Sequence, residues 1–220
     1  MRIRITFAKT EDMRFTSHLD LHRAWERTFR RAGLPLAYTQ GFSPHPRLNL
    51  ASALPLGFTG EAEVIDAWLE IDLQESQVLD RLQSTLPPGI MVKSIFKVDQ
   101  TLPSLQSILI SNEYIITLLE PVDGLQQKIA DLLSSSSILR ERRGKSYDLR
   151  PLILVLNLIE TLPGALQKLL ARLSAREGAT GRPEEVLEAL GIQPTTARVH
   201  RTRLIFSEVE NQPANQQFSM

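Results

Sequence analysis

The first helix of the chain is specified by residues 17–35, which read SHLDLHRAWERTFRRAGLP. Ser17 and Asp20 have the Ser-x-x-Asp spacing of a helix start, because their side chains can satisfy the unpaired amides of the first turn. The positions that follow recur at helical spacing and form one core-facing stripe, Leu21, Ala24, Trp25, Thr28, Phe29 and Ala32. Gly33 and the Leu34-Pro35 pair end the helix.

The elements around this helix predict a β-α-β-β-α-β order in the first hundred residues. Residues 2–8 alternate charged and apolar side chains, as a strand does, and further strands are predicted at 48–53, 62–73 and 90–98. A short helix is predicted at 78–86. This order of elements is typical of the ferredoxin-like, split-βαβ fold.

The second half resembles the first in element order. Its predicted elements are strands at 114–119 and 199–206, helices at 125–133 and 183–191, and a hairpin of 138–143 with 147–159. Segment 165–176 fits both a helix and a strand. We therefore expect an α+β fold of two ferredoxin-like modules side by side, the second with an extra hairpin strand.

This interpretation divides the chain into four parts. Residues 1–99 form the first module, with the basic helix and a Gly/Pro/His loop, and residues 100–111 form a Gln/Ser/Leu/Pro-rich linker. Residues 112–208 form the second module. Residues 209–220 are rich in Gln and Asn and lack periodicity, so we expect a disordered tail.

The composition excludes several classes of protein. The 220 residues are 42% hydrophobic, which is normal for a globular chain, and no apolar run approaches the ~20 residues that cross a bilayer. Residues 1–7 lack the apolar core of a signal peptide, so we expect a cytoplasmic protein with no membrane partner. The absence of cysteine excludes disulfides, cysteine nucleophiles, thiolate zinc sites and an iron–sulfur cluster held by this chain's own thiolates.

A neutral net charge hides an uneven distribution of charge. Residues 1–60 contain nine basic and four acidic residues, whereas residues 61–110 contain three basic and eight acidic ones. This segregation favours an anionic partner for the first segment. A solvated basic face that is balanced by the next segment explains the charges equally well.

The predicted first helix carries a second stripe, made of arginines. Arg23, Arg27, Arg30 and Arg31 are spaced i, i+4, i+7 and i+8, so they project from one side, away from Trp25. Such a row suits contacts with successive phosphates, for which guanidinium groups are well shaped. The alternative is an ordinary solvent-facing side of a helix.

Two histidines on this helix have the i, i+4 spacing of metal ligands, His18 and His22. The His-Glu-x-x-His pattern is missing, so we predict no metal site. We expect His18 instead to lie in the first turn, where the positive helix end favours a neutral ring that can donate or accept a hydrogen bond.

The most unusual loop is Gly41-Phe42-Ser43-Pro44-His45-Pro46-Arg47. Two prolines restrict the backbone on both sides of His45, which limits the entropy that is lost when a ligand holds that side chain. Gly41 permits a tight entry into the loop, and Phe42 can stack on a ligand or fill the core. The alternative is a stiff connector with a surface histidine.

Two smaller groups lie in the second half. For Asp148 and Arg150 we expect an inter-strand salt bridge, with a ligand contact as the alternative. For Arg182, just before a predicted helix, we expect either an anion contact or a capping role. The sequence contains no phosphate-binding glycine loop, nucleophile elbow or zinc pattern, and no nucleophile–base–acid set is recognisable.

Long blocks of the sequence resemble the radical-SAM-linked domain of unknown function, a bacterial family found alone or fused to B12-binding-type radical SAM proteins. The resemblance rests on Phe15–Arg23, on Arg30–Pro46 and on Ala53–Gly57, and it extends through Glu63, Asp66, Leu86–Gly89, Asp148–Pro151 and Arg182–Glu184. Ser43 stands where the family more often has Asn, and His22 where it usually has an apolar residue.

The resemblance implies a separate radical SAM enzyme as partner. That enzyme would carry the iron–sulfur cluster and S-adenosylmethionine, and this chain would bind no cofactor. The resemblance also favours a strand at 165–176. At the level of fold alone, paired ferredoxin-like modules with a basic helix are similar to CRISPR repeat-processing endoribonucleases.

Three functions remain in competition. In the first, the chain is an accessory module that binds an anionic, RNA-type substrate for the radical SAM enzyme through Ser17, His18, Asp20, Arg23, Arg27, Arg30, Arg31, Gly41, Phe42, His45 and Arg47. In the second, it is a metal-independent endoribonuclease with His18 or His45 as general base. In the third, it is a protein–protein adaptor without catalysis.

Overall fold

The computed structural model describes residues 1–160, 162 and 164–207. The strands in these residues are β1 (Arg2–Lys9), β2 (Leu48–Leu50), β3 (Thr59–Trp68), β4 (Ile90–Val98), β5 (Leu109–Leu118), β6 (Leu139–Arg142), β7 (Lys145–Asp148), β8 (Ile153–Ile159), β9 (Lys168–Arg176), β10 (Ala179–Thr180) and β11 (Ala197–Phe206). The α-helices are α1 (His18–Arg31), α2 (Glu75–Gln83), α3 (Leu105–Ile108), α4 (Leu125–Ser134) and α5 (Pro183–Ala189). Short 3-10 helices lie at Glu11–Met13, Arg150–Leu152 and Pro194–Thr196. The predicted disordered tail, residues 209–220, lies outside the described residues.

Nine of these strands form one mixed sheet in the order β10-β9-β5-β11-β3-β1-β4, with β2 also pairing with β3 and β8 with β9. In the first half, β1 lies antiparallel between β3 and β4. The second half repeats this arrangement, because β5 lies antiparallel between β9 and β11. The predicted α+β class is therefore confirmed.

The two halves meet at a short parallel contact between β3 and β11. His200 pairs with Thr59, and Arg201 pairs with Gly60. We call these four residues the seam. Since β11 otherwise pairs along its length with β5, the seam is a narrow connection that makes one sheet out of two strand groups.

Each half has its own hydrophobic core. Ile3, Ile5 and Phe7 of β1 are fully buried beneath α1 and α2, and the Phe7 ring meets Trp25 of α1 edge to face at 4.9 Å. The second core is built by β5, β9, α4 and α5. The apolar residues that recur with period 2 in β1 and with period 3.6 in α1 therefore face the core, as predicted.

The structure corrects the prediction for residues 138–159. The hairpin of β6 and β7 is a separate two-stranded sheet, so it adds no strand to the main one. The predicted strand 147–159 is broken at Arg150–Leu152, where Pro151 lacks an amide hydrogen for a ladder bond. Asp148 accepts hydrogen bonds from the backbone amides of Ile138 and Arg150, and Arg150 donates to backbone carbonyls, so the expected Asp148–Arg150 salt bridge is absent from the described residues.

The structure also gives the secondary structure of segments 165–176 and 100–111. Segment 165–176, which fitted both a helix and a strand, contains β9, as the resemblance favoured. The predicted linker, residues 100–111, contains the short helix α3 and the first residues of β5.

Candidate functional site

The Ser17 side chain caps the first turn of α1, as predicted, whereas the Asp20 carboxylate accepts from the Ser17 hydroxyl and from no backbone amide of the described residues. The Ser17 hydroxyl accepts a hydrogen bond from the Asp20 amide at 3.2 Å and donates one to Asp20 Oδ2 at 2.7 Å. Arg23 then lies 3.4 Å from Asp20 Oδ1. The structure thus brings Ser17, Asp20 and Arg23 together, and the Asp20 carboxylate already has two partners within the chain.

The four arginines of α1 lie on its exposed side. Arg23, Arg27, Arg30 and Arg31 are all exposed, whereas Leu21, Trp25 and Phe29 are buried. We call these four residues the arginine face. Arg31 donates to the Thr85 carbonyl, but Arg27 and Arg30 have no ion pair or hydrogen bond within the described residues. Their positive charges are therefore available to an anion.

The loop after α1 projects from a short base. Ala37 and Arg47 are linked by a backbone hydrogen bond, and each also pairs with the backbone of Trp68. Gly41 has φ +125°, a value that side chains other than glycine rarely adopt, and the next residue, Phe42, is fully exposed. The Arg47 guanidinium stacks on the Trp68 ring at 4.6 Å, which holds this cation beside the base of the loop.

No hydrogen bond in the described residues joins His18 to His45, the two candidate catalytic histidines. The backbone of His45 exchanges hydrogen bonds with Thr39, while its side chain is exposed and has no partner in the described residues. His22 lies with Nε2 3.4 Å from the Leu48 carbonyl. The predicted roles of His18 and His45 in binding or catalysis stay predictions.

His18 faces inward from the first turn of α1. Its Nδ1 is buried and has no hydrogen-bond partner among the described residues. Burial lowers the pKa of His18 below its usual value, and the neighbouring His22 and the Arg201 guanidinium lower it further. Burial therefore favours the neutral form of the ring, which is also the form that the positive helix end favours.

The sequence did not reveal the buried charges at the seam. Arg201, only 1% exposed, donates through Nε to Glu63 Oε1 at 2.8 Å and makes a second bond to Glu63 Oε2. It also donates to Ser52 Oγ and to the Ala53 carbonyl, each at 3.1 Å. Burial alone would lower the pKa of Arg201, but the Glu63 carboxylate and the Tyr114 hydroxyl together outweigh burial and raise it.

Lys9 is a second buried cation next to this pair. Its Nζ donates to the carbonyls of Thr16 and Phe58 at 3.0 Å and to that of Arg14 at 3.4 Å. Burial lowers the pKa of Lys9 from 10.5 to about 8, with Glu63 opposing and Arg201 adding to the effect. These bonds tie the segment before α1 to the loop that leads into β3. The period-2 pattern of Ile3, Ile5 and Phe7 was the signal that could have placed position 9 inside.

Two acidic residues from the resemblance have structural partners. Glu63 pairs with Arg201, and the fully buried Asp66 receives hydrogen bonds from both Arg2 and Arg4. Because each carboxylate is held by arginines, neither is a free general base.

A cleft of about 730 Å³ opens beside the seam. It is lined by the loop after β2, by α3, by the start of β5 and by residues 175–184. Asn112 and Tyr114 line its inner part, and Arg176 and Arg182 belong to its exposed lining. Burial raises the pKa of Glu184, another lining residue, whose Oε2 is buried without a partner in the described chain.

The described part of the chain has neither a cluster of metal ligands nor a membrane-spanning helix. No three His, Asp or Glu side chains there come together as a metal site requires. None of the helices of residues 1–160, 162 and 164–207 is long and apolar enough to cross a membrane.

Comparison with known proteins gives one family match. A family profile described as "Uncharacterized protein conserved in bacteria (DUF2344)" matches residues 2–183. No curated protein matches the chain.

Three solved structures have a similar chain path at low sequence identity. The archaeal box H/ACA sRNP Nop10–Cbf5 complex contains a chain with TM-score 0.45 and 13% identity, covering 94% of this chain and 49% of that one. A Cbf5–Nop10–Gar1 complex gives TM-score 0.44 and 11% identity, with 84% and 45% coverage. An H/ACA RNP bound to a substrate RNA containing 2'-deoxyuridine gives 0.41 and 12%, with 84% and 43% coverage. The present chain thus spans less than half the length of each of these solved chains.

Proposed function

The chain belongs to this bacterial family of uncharacterized proteins (DUF2344), and we propose that it binds a single-stranded, RNA-type substrate through the arginine face of α1. In this proposal it acts as an accessory module, and a separate radical SAM enzyme performs the chemistry. The observation that carries the proposal is the exposure of all four arginines on one side of one helix.

The arginine face has the dimensions of a phosphate-binding surface. Arg23 and Arg31 are eight residues apart, so the row is about 12 Å long at the rise of an α-helix. Arg27 and Arg30 lie within this row and have no acidic partner in the described residues. A polyanion that binds here releases its counterions, which makes binding strongly dependent on salt.

Exposed aromatic rings favour a single strand over a duplex. Phe42 is fully exposed, and Phe15, just before α1, is 75% exposed with the Arg14 guanidinium over its ring. Unpaired bases stack on such rings while arginines hold the backbone, whereas the bases of a duplex are already stacked. Arg47 beside the loop adds a further cation.

The radical SAM partner is supported by the resemblance of the blocks from Phe15 to Gly57. Since the chain has no cysteine, thiolate ligands for an iron–sulfur cluster would belong to that partner. The site residues Ser17, His18, Asp20, Gly41 and His45 would border the substrate at the start of α1 and on the loop.

We also propose that each half is a ferredoxin-like module, residues 1–99 and 112–208. The support is the strand order, which is β4-β1-β3-β2 in the first half and β11-β5-β9-β8 in the second when the short β10 and the β6–β7 hairpin are left aside. Both match the order of a split-βαβ unit, in which the first strand lies between the third and the fourth. Residues 100–111 connect the two.

Binding of single-stranded RNA at a series of salt concentrations tests the function. The double variant Arg27→Gln/Arg30→Gln removes the two unpaired cations, and Arg143→Gln/Arg198→Gln removes two exposed cations elsewhere. We expect the first variant to weaken binding and to reduce the slope of log K against log salt by about 1.4, because each lost phosphate contact on a single strand contributes ~0.7. The second should match the wild type. Equal affinities and slopes for all three proteins would refute the proposal.

A further inference from the structure

The cleft beside the seam contains a polar group that the fold leaves without a partner. Asn112 is 3% exposed and lines the cleft. Its Nδ2 donates to Tyr114 Oη at 3.2 Å and lies 3.4 Å from Ser52 Oγ, whereas its Oδ1 is buried with no hydrogen-bond partner in the described residues. A buried acceptor without a partner destabilises the fold, so its retention points to a ligand that supplies a donor.

The surroundings fix this amide in place. Ser52 and Tyr114 both interact with the Arg201 guanidinium, which is itself held by Glu63. The buried ion pair of the seam therefore anchors the two oxygens that orient the Asn112 side chain. Rigid support of this kind is what a recognition group needs.

The cleft differs in character from one end to the other. Asn112 belongs to its buried lining, while its exposed lining carries Arg176 and Arg182, which form no ion pair within the described residues, and one acid, Glu177. A second acid, Glu184, is half-buried in the same lining. A matching ligand has an N–H at one end and an anion at the other. The volume of about 730 Å³ suits a ligand the size of a nucleotide, whereas an amino acid would fill little of it.

We propose that this cleft binds one nucleotide, with an N–H of the base donating to Asn112 Oδ1 and the phosphate held by Arg176 and Arg182. This deepens the proposed function, and it rests on that function only for the source of the nucleotide. The nucleotide is either free or an unpaired residue of the bound strand.

Calorimetric titration with the four ribonucleoside monophosphates, the matching nucleosides and single-stranded RNA tests the inference. The variants are Asn112→Leu, which replaces the buried amide by an apolar side chain of similar size, and Arg182→Gln, a change at an exposed position. Thermal unfolding checks that both variants are folded. Arg143→Gln/Arg198→Gln is the control.

We expect at least one monophosphate to bind more tightly than its nucleoside, and each cleft variant to weaken that binding at least about fivefold. If only RNA binds, and both cleft variants weaken it, the nucleotide belongs to the strand. If neither mononucleotide nor RNA affinity responds to the two variants, the inference is wrong. Failure of the proposed function is recognised separately, by unchanged RNA binding in Arg27→Gln/Arg30→Gln.

Discussion

Glu63 and Arg201 lie 138 positions apart in the sequence and form a buried ion pair where the two halves of the sheet meet. The pair also holds the loop between β2 and β3, because Arg201 donates to Ser52 and to the Ala53 carbonyl. One guanidinium thus connects three separate segments of the chain at the narrowest point of the sheet.

Removing one partner of this pair should strongly destabilise the protein. In Glu63→Leu the Arg201 guanidinium stays charged and buried without its counter-charge, so we expect the free energy of unfolding to fall by about 3–5 kcal/mol. Urea unfolding measures this. Arg203→Gln, which removes an exposed partner of Glu113, should cost no more than about 1 kcal/mol. Equal losses of unfolding free energy in the two variants would contradict a structural role for the Glu63–Arg201 pair.

Lys9 should make stability depend on pH in the alkaline range. Its folded pKa of about 8 lies below the usual 10.5, so between these values the unfolded chain binds more protons than the folded one. Stability from this group therefore rises as pH increases from 8 to 10.5, by up to about 3 kcal/mol. The measurement is the difference between wild type and Lys9→Met in urea unfolding over this range. Parallel pH profiles for the two proteins would show that Lys9 keeps a normal pKa in the fold.

The local parts of the structure could be predicted, and the contacts between distant segments could not. The cap at Ser17, the end of α1 near Gly33 and the exposed arginines follow from neighbouring residues alone. Glu63, by contrast, lies among the apolar residues of β3, and nothing nearby indicates an arginine from the last strand as its partner. Sequence patterns report the periodicity of one segment, whereas the seam depends on which strands meet.

The errors around Asp148 also come from relying on the periodicity of one segment. Alternation suggested a continuous strand through Pro151. The Asp148 carboxylate instead accepts hydrogen bonds from two backbone amides and closes a turn. Proline was the signal that should have limited the strand. Asn112 was missed for another reason, since an amide oxygen without a partner can be recognised only once its neighbours in the fold are known.

The cap of α1 gives a modest but specific prediction for stability. Ser17→Ala removes the acceptor for the Asp20 amide, so we expect a loss of about 1 kcal/mol, which lowers the melting temperature by about 2–4 °C. Ser43→Ala changes an exposed serine on the loop and should leave the melting temperature unchanged. Calorimetry compares the two variants. A Ser17→Ala protein as stable as Ser43→Ala would mean that the hydroxyl does not stabilise the helix start.

The variant Phe42→Ala distinguishes the contribution of the loop to RNA binding from its contribution to stability. Because its side chain is fully exposed, Phe42→Ala should change the free energy of unfolding by less than about 0.5 kcal/mol. The same variant should weaken single-stranded RNA binding by about 1–3 kcal/mol if one base stacks on the ring.

Leu139→Ala is the matched control for Phe42→Ala. Leu139 is 76% exposed on the β6–β7 hairpin, so its truncation removes a similar exposed apolar group without touching the loop or α1. Urea unfolding and RNA titration are measured on both variants. If both bind RNA as the wild type does, the loop takes no part in stacking and the substrate contacts the arginine face alone. If Phe42→Ala lowers stability instead, the ring packs against the protein and its effect on binding is indirect.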